Sequence, residues 1–118
     1  MKIDTVIVRV RDLEKSQAWY EGKLGLKPGF VGKQEKLVVY KIGQGDSTLT
    51  IYELKAGEIP VLKSLSQNHP IFYSRDIKMD HETLRARGVK LETIHDDEAG
   101  AWFQFFDPDG NLLEACHY

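Results

Sequence analysis

Apolar and polar residues alternate at the start of the chain. Val6, Val8 and Val10 occupy every second position and are all β-branched, whereas the positions between them are mixed. A period of two with β-branched residues is typical of a β-strand, so we predict a strand over residues 3–10 with one buried face. Similar but shorter patterns predict seven further strands, near residues 28–32, 36–42, 48–54, 69–74, 90–95, 101–107 and 111–117.

The period changes to three or four residues after each of two aspartates. Apolar residues from Leu13 to Leu24 follow Asp12 at helical spacing, and a second helical stretch from Asp76 through Leu84 ends at Gly88. A carboxylate at the N-cap can accept a backbone N–H of the first turn that would otherwise lack a partner. We therefore predict two helices, each beginning just after its aspartate.

The two halves of the chain show the same order of elements when one is shifted by 64 residues. The shift places the sequence RDL at 11–13 on RDI at 75–77. A βαβββ unit of about 50 residues could not bury its sheet alone, so two such units must combine. We predict an α+β fold in which two tandem βαβββ modules form a curved eight-stranded mixed sheet with a cleft and outer helices. The expected single domain, 1–118, has modules of about 1–54 and 67–118 and a linker of about 55–66.

Composition and charge narrow the classes of function. The hydrophobic content of 42% indicates a globular chain. The sequence has 16 basic and 18 acidic residues, so it lacks the excess of positive charge that is typical of a nucleic-acid-binding protein. No apolar run approaches the roughly 18 residues of a membrane span, and the first residues do not resemble a signal peptide. Cys116 is the one cysteine and cannot form an internal disulfide. We therefore expect a cytoplasmic protein with a small-molecule partner.

Two motifs resemble a known family. FFDPDGNLLE, from Phe105 to Glu114, resembles the last hairpin of the vicinal oxygen chelate superfamily, which includes glyoxalases, bleomycin-resistance proteins and extradiol dioxygenases. VRDLEKSQAWYEGKLGL, from Val10 to Leu26, resembles the first helix of that family and the exit from it. The resemblance covers almost the whole chain. Its two motifs are more specific for the fold than for a reaction, and the DPDG stretch is in itself ordinary turn chemistry.

The resemblance implies a site in the cleft of the sheet, with metal ligands from four strand positions. Those positions correspond here to Thr5, Thr50, His69 and Glu114. Catalytic transition-metal sites generally have three protein ligands, and a threonine hydroxyl is a poor one. The resemblance therefore implies a degenerate metal site. It would hold no metal, or one divalent ion (Zn, Ni, Mn or Fe) on His69 and Glu114.

His69 and Glu114 also have an interpretation that needs no metal. Glu114 lies in an apolar stretch, where a buried carboxylate without a partner is costly. His69 is a candidate partner, because a carboxylate orients an imidazole and raises its basicity. We predict a catalytic acid–base pair. The alternative, in which His69 merely hydrogen-bonds to backbone, remains open.

Strand alternation adds candidate ligand-binding residues to this face. It places Arg9 on the same strand face as Thr5, Tyr52 on that of Thr50 and Tyr73 on that of His69. Arg9 could hold a carboxylate or phosphate of the ligand, or could reach solvent as an ordinary strand-end arginine. We predict that the ligand-binding residues are Thr5, Arg9, Thr50, Tyr52 and Tyr73.

Other candidate residues have structural interpretations. The aromatic run at 102–106 is expected to pack mainly in the core, and Cys116 shows no sequence sign of a lowered pKa. The HDDE sequence from His95 to Glu98 is expected to be a solvated polar loop.

Two functions from different classes are compatible with these residues. The first is binding of a small organic molecule in the cleft, in the manner of drug-binding relatives. The alternative is a divalent-metal-dependent lyase, isomerase, dioxygenase or antibiotic-modifying transferase that uses His69 and Glu114. In either case the resemblance and the exposed sheet edges expected of a small module imply a homodimer.

Overall fold

The computed structural model describes residues 1–60 and 68–118 of the chain. The protein divides into two compact units, Met1–Val61 and Leu62–Tyr118. The linker predicted at about 55–66 lies partly outside the described residues. Within the described ranges, neither helix is long and apolar enough to cross a membrane.

The first unit is a mixed four-stranded sheet with one helix. The elements are β1 (Thr5–Val10), α1 (Leu13–Leu24), β2 (Pro28–Gly32), β3 (Leu37–Lys41) and β4 (Thr48–Glu53). The strand order is β1-β4-β3-β2, with β1 parallel to β4 and the other neighbours antiparallel. Val8 and Val10 are buried as predicted, but Val6 is 38% exposed. The prediction of a fully buried face is wrong at Val6, which lies near the exposed start of β1.

The second unit repeats this arrangement. The elements are β5 (Ile71–Tyr73), α2 (Ile77–Ala86), β6 (Lys90–Leu91), β7 (His95–Asp97), β8 (Gly100–Phe106) and β9 (Leu112–His117). The strand path is β5-β9-β8-β6, with β5 parallel to β9, and β7 also pairs with β8. The aromatic run behaves as predicted, because Phe103, Phe105 and Phe106 are all buried.

Both helices begin as the aspartates predict. The Asp12 carboxylate accepts the backbone N–H of Lys15 at 3.1 Å, and the Asp76 carboxylate accepts that of Met79 at 3.0 Å. Helix α1 ends at Gly25, which adopts the left-handed conformation with φ 69°. Local capping therefore sets where each helix begins.

The register of the parallel strands confirms the internal repeat. Ile7 lies opposite Thr50 in the first unit, and Ile71 lies opposite Glu114 in the second. Both pairs are related by the same shift of 64 residues. The α+β class and the two tandem modules are thus confirmed.

The sheet itself corrects two predictions. The expected eight-stranded sheet is instead two hydrogen-bonded sheets, of four and five strands over the described residues. The strand predicted at 90–95 splits in two, because Leu91 lies opposite Phe105 while His95 lies opposite Trp102. Three residues on one side therefore face two on the other, which is a β-bulge. The HDDE sequence begins in strand β7 and is not entirely a loop.

Candidate functional site

Glu114 occupies the middle of β9, where strands lie on both sides of it. Its neighbours across the ladders are Ile71 of β5 and Gln104 of β8. Leu113 and Ala115 point to the opposite, buried face, so alternation turns the Glu114 side chain away from that core. The carboxylate is 15% exposed.

His69 supplies the partner that this carboxylate needs. Its Nε2 lies 3.1 Å from Oε2 of Glu114, and its side chain is 24% exposed. The backbone helps to align the two segments, because the Glu114 N–H donates to the Pro70 carbonyl at 3.1 Å. This is the geometry of a carboxylate that orients an imidazole.

A recess of about 350 Å³ lies against β8 and β9, and Glu114 of β9 contributes to its lining. We call it the Glu114 recess. Among the residues that the structure describes in its lining, Asp97 and Glu114 are acidic and none is Lys or Arg. The remaining side chains that line it are the amide of Gln104, the aromatic rings of Trp102 and Tyr118, the thiol of Cys116 and the methyl groups of Ala99 and Ala101. The recess thus combines aromatic surface with negative charge.

Trp102 is held in position from two sides. Its indole Nε1–H donates to Oδ2 of Asp97 at 3.1 Å, and its ring stacks on His95 with centroids 4.5 Å apart. The Trp102 hydrogen bond, followed by one from the Ala99 N–H, lowers the pKa of Asp97, so that side chain stays charged into the acidic range. An aromatic ring and a charged carboxylate are therefore fixed side by side at the recess.

Cys116 lines the same recess without a sign of nucleophilic chemistry. Burial raises the pKa of its thiol, and the nearby Glu114 carboxylate raises it further. A thiol that keeps its proton is a weak nucleophile. The interpretation of Cys116 as a packing residue is consistent with this environment.

Thr5 and Thr50 form the corresponding pair in the first unit. Their hydroxyl oxygens lie 2.7 Å apart, and the Thr5 hydroxyl also donates to the Thr48 carbonyl at 3.3 Å. Thr50 is buried. The two hydroxyls thus satisfy one another and the backbone, and they carry no charge.

Arg9 does not simply reach solvent. Its guanidinium lies over the Tyr52 ring, 4.5 Å from the centroid, and forms a salt bridge with Glu58 at 2.7 Å. Tyr73 in the second unit is 54% exposed, and its ring stacks on His117 with centroids 5.7 Å apart. Arg9 and Tyr52 are thus in contact, while Tyr73 belongs to an exposed aromatic surface.

A family model matches residues 2–115 of the chain, almost its full length. The chain belongs to the Glyoxalase/Bleomycin resistance protein/Dioxygenase superfamily. No curated protein matches it at a significant level of sequence similarity.

Solved structures of the superfamily fold match the chain over nearly its whole length. One is an integron cassette protein from the mobile metagenome of the Halifax Harbour sewage outfall, with 22% identity, a TM-score of 0.82 and coverage of 99% and 98% of the two chains. A second is TnmS3, an antibiotic-binding protein from Streptomyces, with 21% identity, a TM-score of 0.77 and coverage of 99% and 95%. A third is a lactoylglutathione lyase from Agrobacterium tumefaciens, with 21% identity, a TM-score of 0.76 and coverage of 98% and 92%. At these identities the likeness shows the fold.

The four positions that the superfamily resemblance marks fall into two pairs. The structure brings Thr5 to Thr50 in the first unit and His69 to Glu114 in the second. The expectation that both pairs line one concave surface remains a prediction.

The donor set does not fit the metal site that the superfamily implies. Across residues 1–60 and 68–118, no group of three or more His, Cys, Asp or Glu side chains could hold a metal ion. His69 and Glu114 supply one imidazole and one carboxylate, and the two threonine hydroxyls are already bonded to each other. A transition-metal site with three protein ligands needs one more strong donor than the described residues bring to this pair.

Two residues contribute to these sites without a signal in the sequence pattern. Asp97 lies in the HDDE sequence, which predicts a solvated polar loop, yet it accepts a hydrogen bond from Trp102 and lines the Glu114 recess. Glu58 fell in the predicted linker, yet it binds Arg9. Alternation along β8 could have indicated that Trp102 and Gln104 share the face of Glu114, whereas no local pattern marks Glu58.

Proposed function

We propose that this member of the superfamily binds a small organic molecule in the Glu114 recess, and that its metal site is degenerate. The observation that carries the proposal is the contact between His69 and Glu114 at the recess, made without a third strong metal donor among the described residues. In this proposal the pair clamps a polar group of the ligand or exchanges a proton with it. We also propose, as the resemblance and strand alternation imply, that Thr5, Arg9, Thr50, Tyr52 and Tyr73 bind a ligand, without assigning them to this recess.

The charge and shape of the recess favour a particular kind of ligand. Asp97 and Glu114 attract a cation, and Trp102 offers a flat aromatic surface. A volume of about 350 Å³ suits a drug fragment or one end of a larger antibiotic. We therefore propose a cationic ligand with a planar aromatic part.

Bleomycin, which is cationic and carries planar rings, is a suitable probe. Isothermal titration calorimetry would compare wild type, Glu114→Gln and the control Glu92→Gln, in which an exposed carboxylate of the same unit is neutralised. We expect Glu114→Gln to weaken binding at least tenfold while the fold stays intact, because the charge is lost and the shape is kept. Glu92→Gln should bind as wild type does. Equal affinities for all three proteins would contradict the site assignment.

The second candidate is a divalent-metal-dependent lyase, isomerase, dioxygenase or antibiotic-modifying transferase. The His69–Glu114 contact supports it as well, if water and substrate oxygens complete the shell around a Zn, Ni, Mn or Fe ion. Elemental analysis of protein purified without chelators separates the two candidates. Metal near one equivalent that disappears in His69→Ala would overturn the degenerate site. Absence of metal even after soaking would contradict the metal enzyme.

We also propose a cytoplasmic homodimer. The single cysteine supports a reducing compartment, and the exposed side chains of Ile7 and Phe30 on the edge strands β1 and β2 support pairing. Sedimentation equilibrium at micromolar concentration should give twice the mass of one chain. A monomer mass would contradict the dimer.

A further inference from the structure

Arg9, Tyr52 and Lys55 form a compact group in the first unit, which we call the Arg9 cluster. The Arg9 Cζ lies 4.5 Å from the centroid of the Tyr52 ring, and the Lys55 Nζ lies 5.8 Å from it. Arg9 also donates through Nε to the Tyr52 carbonyl at 3.3 Å and through Nη2 to the Glu53 carbonyl at 3.2 Å. The aromatic ring and the strand backbone therefore hold the guanidinium in one orientation.

The carboxylate of Glu58 lies in this cluster and is bound at both oxygens. Arg9 donates through Nη2 to Oε1 at 2.7 Å and through Nη1 to Oε2 at 3.1 Å. The backbone N–H of Lys55 donates to Oε1 at 2.6 Å. A planar fork with an added backbone donor matches the shape of a carboxylate, and such charge-assisted bonds are strong and directional. Arg9 and the Lys55 backbone thus bind both oxygens of a carboxylate.

The position of Glu58 indicates more than a structural ion pair. The Arg9 and Glu58 side chains are each 37% exposed, and a pair this accessible to water contributes little to folding. Glu58 closes a surface turn in which its N–H donates to the Lys55 carbonyl at 3.0 Å and Gly57 has φ 86°. A ligand carboxylate could therefore replace the Glu58 side chain without disturbing the sheet.

A groove next to the cluster offers room for the rest of a ligand. Its volume is about 470 Å³, within the usual range of small-molecule sites, and it shares Tyr52 and Lys55 with the cluster. Leu54 and Ala56 contribute apolar surface, and the charged side chains of the lining are two lysines and two glutamates, Lys36, Lys55, Glu35 and Glu53. Arg9 lies behind Tyr52 and does not line the groove, so an acid would place its carboxylate on the cluster and its small apolar body against Tyr52 at the mouth of the groove.

We propose that the Arg9 cluster binds a small-molecule carboxylic acid, and that Glu58 is an internal competitor that holds the site closed until the ligand replaces it. The proposal goes beyond the function proposed above, with which it shares Arg9 and Tyr52. A site that is mostly closed binds its ligand with an apparent affinity lowered in proportion to the open fraction. Removal of the Glu58 carboxylate should therefore reveal the intrinsic affinity of the cluster.

The probes are benzoate, its neutral analogue benzamide and inorganic phosphate, titrated calorimetrically into the full chain. We expect Glu58→Ala to bind benzoate at least tenfold more tightly than wild type does. Benzamide should bind equally weakly to both proteins, because it lacks the charge. Phosphate should bind Glu58→Ala less tightly than benzoate, because the fork and the groove suit a planar carboxylate with an apolar body.

Arg9→Met in the Glu58→Ala background should abolish the gain for benzoate. Equal benzoate affinity in wild type and Glu58→Ala would overturn the proposal, as would a gain that survives Arg9→Met or a preference for phosphate. Circular dichroism must show that each variant is folded. If Glu58→Ala is unfolded, Glu58→Gln replaces it, and failure of Glu58→Gln to tighten benzoate binding overturns the proposal. Loss of bleomycin binding in Glu114→Gln is a separate result, since benzoate binding does not use Glu114.

Discussion

The parallel strand pair of each unit holds a pair of side chains at equivalent positions, and the two pairs differ in their chemistry. In the first unit, Thr50 lies opposite Ile7 and its hydroxyl meets that of Thr5 at 2.7 Å. In the second, Glu114 lies opposite Ile71 and its carboxylate meets His69 at 3.1 Å. The repeated backbone brings both pairs to hydrogen-bonding distance. The side chains alone decide that one pair joins two neutral hydroxyls while the other joins an imidazole and a carboxylate.

A second parallel concerns the irregular edge of each sheet. In the first unit the register shifts between Pro28 and Phe30, and in the second it shifts between Leu91 and His95. Phe30 beyond the first bulge is largely exposed, whereas His95 beyond the second stacks on Trp102. A bulge at the equivalent edge of each sheet is therefore followed by an exposed apolar residue in the first unit and by a residue that packs on the wall of the Glu114 recess in the second.

The largest expected effect concerns the last hairpin of the second unit. The buried Asp107 carboxylate accepts the Asp109 N–H at 2.9 Å and both the N–H and Nδ2 of Asn111 at 2.8 Å. Asp107→Ala would leave these donors without their acceptor in a buried turn, so we expect a loss of about 3 kcal/mol in the free energy of unfolding. Urea denaturation measures this loss.

The matched control lies in the corresponding connection of the first unit. Asp46 forms an exposed ion pair with Lys2, so Asp46→Ala should change the free energy of unfolding by less than about 0.5 kcal/mol. Equal losses in the two variants would show that Asp107 does not hold its hairpin in the way the contacts indicate.

Much of the fold could be predicted because its signals are local. Asp12 and Asp76 mark the helix starts by capping, and alternation indicates the strands. The approach of His69 to Glu114 is consistent with the resemblance because the repeat sets the register. The contact between Arg9 and Glu58 could not be predicted, since it joins residues 49 positions apart through a turn with no periodic pattern. The split of the strand after Leu91 depends on one extra residue, which alternation does not reveal.

The next prediction tests whether the two pairs act together. The resemblance implies a metal-binding triad at positions 5, 69 and 114, so Thr5→His would supply a third strong donor. We expect Thr5→His to bind Ni²⁺ at least tenfold more tightly than wild type does, as measured by calorimetry. Thr5→Asn, a polar replacement without an imidazole, is the control. Equal Ni²⁺ affinity in the two variants would contradict the expectation that Thr5, His69 and Glu114 line one surface.

Glu53 forms a pH-dependent contact between β4 and the start of α1 in the first unit. Its carboxylate accepts the Leu13 N–H at 3.0 Å and lies 3.2 Å from the Lys36 Nζ. The bond from Leu13, followed by that from Lys36, lowers the pKa of Glu53 in the folded protein. Its contribution to stability is therefore present above the unfolded pKa of about 4.3 and is lost as the pH falls through the lower folded value.

Glu53→Gln should accordingly be less stable than wild type at pH 7, by about 1 kcal/mol, because the helix loses a charged cap. The difference should shrink as the pH is lowered from 7 towards 3, because protonation of Glu53 in wild type progressively removes the same charge. Urea denaturation at both pH values measures this, with the exposed Glu35→Gln as a control that should follow wild type. A difference that is constant with pH would exclude a role for the Glu53 charge.

The smallest expected effect concerns the edge of the second unit. His95 and Trp102 are directly opposite each other on β7 and β8, with ring centroids 4.5 Å apart. Such cross-strand ring pairs contribute on the order of 0.5 kcal/mol, so a double-mutant cycle of His95→Ala and Trp102→Ala should show a coupling of about this size. Asp96 follows His95 and points to the other face of the strand, so the matching cycle with Asp96→Ala should show no coupling. Equal couplings would mean that His95 does not support the indole. A coupling confined to His95 would show that β7 stabilises Trp102 at the wall of the Glu114 recess, whereas Phe30 at the corresponding edge of the first unit is largely exposed.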